Sequence, residues 1–493
     1  MTRALRRAPL SARTPALPPS PAPSPALSLA FSLALLLAGC VSPAGIDPAA
    51  RTVEPASLGL RADVPTQWPR QDWWTAFGDP GLTGLITRAL EGNPTLGVAA
   101  ARIARAQAGA DFASADREPQ ANAALDSTRQ RFTRTGFYPA PLGGSFQTNS
   151  LLTLNVGWEL DFFGRHQAAL DAALGQAAAA QADLAAARAL IASQVARAWF
   201  QWAALREQRS LAQDAAQVRE RQRALIEARV RAGLDSELDL RPARAEVPMA
   251  RQRIESLDER IALVRNALAA LSSQPAQAIE RLTPVLPQAA PVALPESLPL
   301  DLVGRRADIA AARWRVQAAL KDRDAQAAQF YPNVNLNAFA GLSSLGLSRL
   351  VDGKSVVYGA GPAIRLPIFD AGRLRASLRA RTADLDAAVE SYNATLSDAV
   401  RDVADQLETL RALARQRTEQ RSVVDLTEGT RALAAERQRK GLSNQLPVLG
   451  AELAWLGARQ AERETAAREI DTGIHLIRAL GGGFDDAARA PQH

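Results

Sequence analysis

The chain has 493 residues, 47% hydrophobic and 22% charged, with 58 basic against 51 acidic side chains. That composition excludes a disordered polypeptide and leaves room for two or three ordinary domains. The formal +7 falls to +3 without the four arginines of an acid-free leader (Arg3, Arg6, Arg7, Arg13), and no basic patch with interleaved aromatics remains to suggest nucleic acid.

The leader continues through a Pro/Ser/Ala stretch into the apolar run Leu27 to Ala38, 12 residues long. That is too short for a membrane-spanning helix and has the length of a signal-peptide core. It ends in Leu37-Ala38-Gly39-Cys40, where Cys40 is the only cysteine. An internal disulfide is thereby excluded. Small residues before a lone cysteine are the pattern of a lipobox. Cleavage before Cys40 would leave a cysteine carrying diacylglycerol on its thiol and an acyl chain on its freed amino group, with acyl carbons contributing about 0.8 kcal/mol per buried methylene. Val41, rather than Asp, follows the cysteine, which resembles lipoproteins sent on to the outer membrane. The proline-rich lead before Leu27 leaves open a start downstream of Met1.

From Val41 to Trp68 the sequence has no period and reads as extended and poorly ordered. Leu82 to Ala115 is Ala-rich and helix-permissive, with a break near Pro119. Two strands follow: a weak one at Ala121 to Thr128, and a clear one in which Leu152, Leu154, Val156, Trp158 and Leu160 alternate with Thr153, Asn155, Gly157, Glu159 and Asp161. The stretch from Thr135 to Asn149 between them reads as a long hairpin loop.

Ala168 to Arg231 has one glycine and no proline, and Leu184, Ile191, Val195, Ala198, Trp202 and Leu205 step by 7, 4, 3, 4 and 3, a heptad seam. Unbroken, this is a helix about 96 Å long. A turn at Gly233-Leu234-Asp235 leads to a returning helix ending near Ser272, in which Pro242 and Pro248 predict a kink. The order then recurs. A helix spans Ala307 to Phe330, where Asp308 is placed to serve as its N-cap, and Pro332 ends it. Val334, Leu336, Ala338, Ala340 and Leu342 alternate with Asn333, Asn335, Asn337, Phe339 and Gly341 as a strand, with a partner at Val356 to Leu366. A second long helix, Arg373 to Lys440, carries a cleaner seam at Leu378, Leu385, Val389, Tyr392, Leu396, Val403, Leu407 and Leu410.

Ala99-Ala100-Ala101-Arg102 matches Ala310-Ala311-Ala312-Arg313, Phe163-Gly164-Arg165 matches Ala371-Gly372-Arg373, and Arg231-Ala232-Gly233-Leu234 matches Arg439-Lys440-Gly441-Leu442, at offsets of 211, 208 and 208. A nearly constant shift argues for internal duplication. Four strands are too few to close a membrane barrel, which takes about eight or more. Several chains must therefore share one, and a trimer with twelve strands leaves a water-filled lumen.

The motifs Trp74-x-x-Phe77-x-Asp79-Pro80-x-Leu82-x-x-Leu85, Asn93-Pro94, Trp158 to Arg165, Leu302-x-x-Arg305-Arg306-x-Asp308-Ile309 and Gly361-Pro362-x-Ile364-x-Leu366-Pro367-Ile368-Phe369 together resemble the outer-membrane efflux protein family of TolC- and OprM-like channels, from about Trp73 to Gly483. The resemblance implies a mainly α fold with a membrane β-barrel: coiled-coil hairpins plus four strands per protomer, forming a trimeric twelve-stranded barrel and an α-helical periplasmic tunnel. It divides the chain into a lipoprotein signal peptide (1–39), a lipidated extended segment (40–72), a first efflux repeat (73–280), a linker (281–300), a second repeat (301–483) and a tail (484–493). The implied location is the outer membrane, lipid-anchored and spanning, with extension into the periplasm.

The implied partners are two further copies, outer-membrane lipid, a periplasmic adaptor of the membrane fusion type, and an inner-membrane transporter of resistance-nodulation-division, major facilitator or aromatic-acid exporter type. The stretch Tyr331 to Arg373 looks similar to the branch linked to fusaric-acid export. Adaptor docking falls by resemblance on the hairpin tips Ala232-Gly233-Leu234 and Lys440-Gly441-Leu442, whose glycines also suit left-handed helix ends. Gate candidates are Asp239 with Arg437, Arg439 and Lys440. Relatives often carry acids at the places held here by Pro447 and Gly450, and Gln438 and Ser443 replace the usual gate partners. Trp158 and Phe162 fit an interfacial aromatic girdle or burial beneath the barrel.

An enzyme is not expected. His166, His475 and His493 have no metal-ligand spacing, no cofactor is implied beyond the lipid, and Gly481-Gly482-Gly483 follows a helix rather than opening one. A periplasmic adaptor would carry one hairpin flanked by compact β domains, and a coiled-coil tether would lack the Asn-rich strand and form no heat-resistant oligomer in detergent.

Overall fold

The structure is a computed structural model that describes residues 42–61, 68–288 and 301–485. The leader and Cys40 lie outside the described residues. Helices α1 (Pro80–Gly92) and α2 (Pro94–Ala115) precede strands β1 (Gln120–Arg131) and β2 (Phe146–Leu160), then α3 (Arg165–Arg231) and α4 (Glu237–Ser272). The second half repeats the order with α5 (Ala307–Ala328), β3 (Asn333–Leu345), β4 (Val356–Arg365), α6 (Arg373–Arg439) and α7 (Leu446–Ala479).

The helix-permissive stretch from Leu82 is two helices, because Asn93 and Pro94 cannot sit inside one. Asn93 adopts extended backbone, accepts the Thr95 N–H at 2.9 Å as N-cap, and donates to the Leu271 carbonyl at 2.9 Å. Both long helices have 67 residues, about 100 Å at 1.5 Å per residue. Helix α4 is continuous through Pro242 and Pro248. All eight seam residues from Leu378 to Leu410 are buried. In α3, Ile191, Val195, Trp202 and Leu205 are buried, and Leu184 and Ala198 are partly so.

The four strands form one antiparallel sheet in the order β1-β2-β3-β4. β1 and β2 extend further than the alternation indicates, since Thr128 to Arg131 pair with Phe146 to Asn149. These positions are mostly polar, so the sheet continues there without the apolar alternation that marks its lower part.

The largest core lies midway along the helices, where Trp73, Leu82, Leu85, Ile86, Trp199, Phe200, Trp202, Leu257, Leu268 and Ile474 pack together. The motif residue Asp79 caps α1 through the Leu82 N–H (3.0 Å) and also accepts the Trp199 indole N–H (2.8 Å). One carboxylate thus starts a helix and satisfies a buried ring.

Residues 42–61 are not loose. The Ala49 and Ala50 N–H groups donate to Asp386 (both 2.9 Å), Val53 N–H donates to Asn393 (2.8 Å), and Asn393 returns a bond to the Arg51 carbonyl (2.9 Å). Ile46 is buried with Phe330, Leu374 and Leu378, and Leu60 with Leu396 and Val403. Apart from a short 3-10 helix at Pro55–Leu58 the segment is largely extended, as its sequence suggests, but strapped along α6.

Asp308 is not the N-cap of α5. Arg306 holds that position, and Asp308 lies inside the first turn, accepting from Arg306 and from the Ile309 N–H (2.9 Å).

Candidate functional site

Directly opposed residues in a sheet share a face, as do residues two apart along a strand. The register therefore puts Ala121, Ala123 and Leu125 of β1, Leu152 through Leu160 at even positions of β2, Val334 through Leu342 at even positions of β3, and Val356, Tyr358, Ala360, Pro362 and Ile364 of β4 on a single face. That face is apolar throughout and exposed at Leu125, Leu154, Val156, Trp158, Leu336, Tyr358 and Ile364. Along β2 the band from Leu152 to Leu160 is about 27 Å long at ~3.4 Å per residue, which at a strand tilt of about 40° covers about 21 Å of the ~25 Å lipid-facing band of an outer-membrane barrel.

The opposite face carries Gln120, Asn122, Asp126, Thr153, Asn155, Asn335 and Asn337. Its amides bond to one another, with Asn155 donating to Asn122 (3.3 Å) and to Thr153 (3.1 Å). Phe339 is the one large apolar residue of the β3 alternation on this face, and its ring lies over Gly359 of β4, where an added Cβ would be 2.7 Å from the ring. One face thus suits hydrocarbon and the other water.

At the helical end of the band Trp158 donates its indole N–H to the Arg117 carbonyl (2.9 Å), and Phe162 is exposed on the protomer. No described helix is long and apolar enough to cross a membrane.

This two-faced sheet gives a direct expectation. Val156→Arg, at the centre of the apolar band, costs about 2–4 kcal/mol per chain if that face meets lipid, while Asn155→Arg on the polar face leaves insertion intact. Outer-membrane fractionation followed by a heat-resistance gel reads the difference, and equal insertion of both variants would contradict the face assignment.

At the far ends of the long helices the two hairpin tips share one geometry. Gly233 and Gly441 are left-handed (φ +72° and +74°). Leu234 N–H reaches the Arg229 carbonyl (2.9 Å), and Leu442 N–H the Arg437 carbonyl (2.9 Å). These are Schellman ends, so the capping role of both glycines is present. Leu234 and Leu442 are each 67% exposed where such an end commonly turns an apolar residue inward.

The tips differ in their locks. Arg229 grips Asp235 with two bonds of 2.7 and 2.8 Å across the first tip, an element the sequence reading did not single out. The counterpart of Asp235, 208 residues on, is Ser443, so Arg437 has no such partner. The duplicated spacing already contained that difference.

Among the gate candidates, Asp239 serves its own helix. The Ser236 N–H (3.0 Å) and hydroxyl (2.7 Å) donate to its carboxylate and hold it below the usual aspartate range, completing a capping box. Arg439 and Lys440 pair with Glu436. Within the protomer none of these cations meets Asp239.

Outer membrane efflux protein is the family description that matches residues 85–274 and 298–482. The multidrug resistance outer membrane protein MdtP of Escherichia coli K12 is 31% identical over 460 residues, covering 91% of this chain and 94% of that protein. The fusaric acid resistance protein FusA of Burkholderia cepacia is 36% identical over 364 residues, covering 71% of this chain and 67% of that protein. Among solved structures, the outer membrane protein VceC of Vibrio cholerae superposes with a TM-score of 0.77 at 34% identity, covering 85% of this chain and all of that one. Matched over both halves and along nearly the whole length of such relatives, the chain belongs to the outer membrane efflux protein family.

Proposed function

We propose that three copies join β1 of one protomer to β4 of the next, closing a twelve-stranded barrel whose helices continue as a tunnel, and that this is the passive exit duct of a tripartite efflux pump. The single observation that carries the assembly is the four-stranded sheet with an apolar face and two open edges. An unpaired edge in hydrocarbon leaves backbone groups without partners, each costing several kcal/mol, so such a sheet needs closure.

Lipid on Cys40 adds an anchor in the same membrane. The strap formed by residues 42–61 begins two residues later and supports this reading, because Arg375 holds the carbonyl of Ala44 (3.2 Å) next to the start of α6, at the base of the barrel. Drugs or other toxic small molecules would pass through the polar bore. An inner-membrane transporter of resistance-nodulation-division, major facilitator or aromatic-acid exporter type supplies selection and energy. A periplasmic adaptor of the membrane fusion type docks on Ala232-Gly233-Leu234 and Lys440-Gly441-Leu442, where the exposed leucines supply apolar knobs on rigid turns. Asp239 with Arg437, Arg439 and Lys440 of a neighbouring protomer forms the gate of this reading, Arg437 being the cation left without a lock at its own tip.

The test is single-channel recording of the lipidated protein in planar bilayers, with chemical cross-linking to count chains. Stable conductance steps from a cross-linked trimer support the duct, and a folded, silent monomer overturns it. Leu234→Asp combined with Leu442→Asp is expected to keep those steps while losing at least about tenfold in adaptor affinity, since truncating an exposed anchor costs ~1–2 kcal/mol or more. Surface plasmon resonance with the purified adaptor measures it, and unchanged binding would remove the tips from the docking site.

A further inference from the structure

Above the apolar band the membrane-facing side of the sheet turns basic. β1 and β2 pair without interruption from Gln120↔Gly157 to Arg131↔Phe146, so Arg129 and Arg131 lie on the face of Ala123 and Leu125. Arg129 is about 14 Å beyond Leu125 along the strand, and Arg131 about 7 Å further. The guanidinium of Arg131 sits 6.0 Å from the centre of the Phe146 ring.

The β3–β4 connection reaches the same level, because the Gly346 N–H donates to the carbonyl of Thr148, the residue opposite Arg129. It brings Arg349 and Lys354, and all four cations are exposed. Among the described residues none of them is ion-paired, whereas arginines of the helical region are engaged, as in Arg197–Asp471 (2.6 Å) and Arg417–Glu469 (2.9 Å). Neither nearby carboxylate forms an ion pair with them among the described residues. Asp126 falls on the opposite face, and Asp352 accepts the backbone N–H of Lys354 as a cap.

We propose that this rim binds the phosphorylated glycolipid of the outer leaflet, with Arg129 and Arg131 on its phosphates and Arg349 and Lys354 alongside. Unpaired guanidinium groups directly above a lipid-facing band meet the headgroup layer, and paired N–H donors on Arg match phosphate oxygens. The proposal rests on the duct reading only in taking the apolar face as the lipid face.

The probe is lipid A carrying both phosphates, dispersed at trace level in phosphatidylcholine vesicles holding the full-length protein. The protein is re-extracted in mild detergent, and retained lipid A per chain is counted by mass spectrometry. Arg129→Gln with Arg131→Gln is expected to weaken retention about 30-fold, the effect of two interfacial cations, with conductance unchanged. Arg88→Gln in α1 is the control, and dephosphorylated lipid A should not be retained. Equal retention by the double variant, or retention of the dephosphorylated lipid, overturns the proposal. Displacement by an equal amount of phosphatidylglycerol overturns the glycolipid as occupant in favour of any anionic headgroup. Absent conductance with arginine-dependent retention intact would strike the duct and leave the rim standing.

Discussion

Arg306→Met lowers the thermal midpoint of the assembled protein by about 3–5 °C at pH 7, because removing one partner of a buried ion cluster costs about 3–5 kcal/mol and a chain of this length has an unfolding entropy near ~1 kcal/mol/K. The Arg306 side chain is 7% exposed. Its Nε and Nη2 donate to the two Asp308 oxygens at 3.0 and 2.6 Å, its Nη1 donates to the Ala479 carbonyl at 3.1 Å, and Asp402 stands 3.8 Å away. One guanidinium therefore joins the start of α5, the middle of α6 and the end of α7, where orphan carbonyls favour a cation. Methionine keeps the stem and removes every bond.

The pH dependence of this defect has a definite sign. Burial by itself would raise the Asp308 carboxyl, but the bonds and charge of Arg306 and the Ile309 N–H outweigh it and hold the group below its ordinary value. Such a group contributes stability that is present above the ordinary aspartate pKa, about 3.9, and lost as pH falls through the lowered folded value. In Arg306→Met the carboxyl loses its cation and takes up a proton more readily. The gap between variant and wild type should narrow as pH falls from 7 toward 4, read by calorimetry across that range. A gap that is constant with pH would mean that the lost packing, not the ion cluster, sets the cost.

The long helices, their return and the duplication were legible because heptad spacing is local and survives in any assembly: all eight residues that the seven-residue spacing of α6 names are buried, although Leu374, Thr382, Asn393, Ala399, Leu413 and Val424 are buried beside them. The lower strands were legible for the same reason, since hydrocarbon on one side and water on the other writes a period of two into Leu152 to Leu160. Where the physical contrast fades, so does the signal. Thr128 to Arg131 and Phe146 to Asn149 remain strand beyond the band, yet their polarity resembles a loop.

The strap of residues 42–61 was missed because its order comes from Asp386, Asn393 and Arg375, over 300 residues away, and not from any internal pattern. The role of Arg306 as a buried joint was equally hidden, since a motif marks the residue but not the three helices it touches. Of the hairpin tips, the capping glycines were readable. The unequal locks follow only from setting Asp235 beside Ser443 with the Arg229–Asp235 bonds known.

Gly481→Ala is expected to yield no assembled protein, and the reason is not the helix stop that its sequence position suggests. Gly481 does end α7, with its N–H on the Arg478 carbonyl (2.9 Å) and φ at +99°. A left-handed helix end alone costs an alanine about 1–2 kcal/mol, which the chain would survive. What it does not survive is contact, since an added Cβ would lie 1.7 Å from the Arg305 carbonyl oxygen and 2.7 Å from its carbon. Both partners are backbone, and Arg305 cannot withdraw, because its neighbour Arg306 is fixed to α6 and α7 and its own side chain is held by Asp485 (2.8 Å). Gly441 supplies the matched control: it is also left-handed, at φ +74°, but an added Cβ there meets nothing within 4 Å. Gly441→Ala should therefore assemble and lose only about 1–2 °C in thermal midpoint, the strain cost alone. Heat-resistant oligomer on a gel separates the two variants. If Gly481→Ala assembled as well as Gly441→Ala, the crossing of the chain over Arg305 could not be as close as the backbone places it, and the joint around Arg306 would have to be looser than its bond lengths imply.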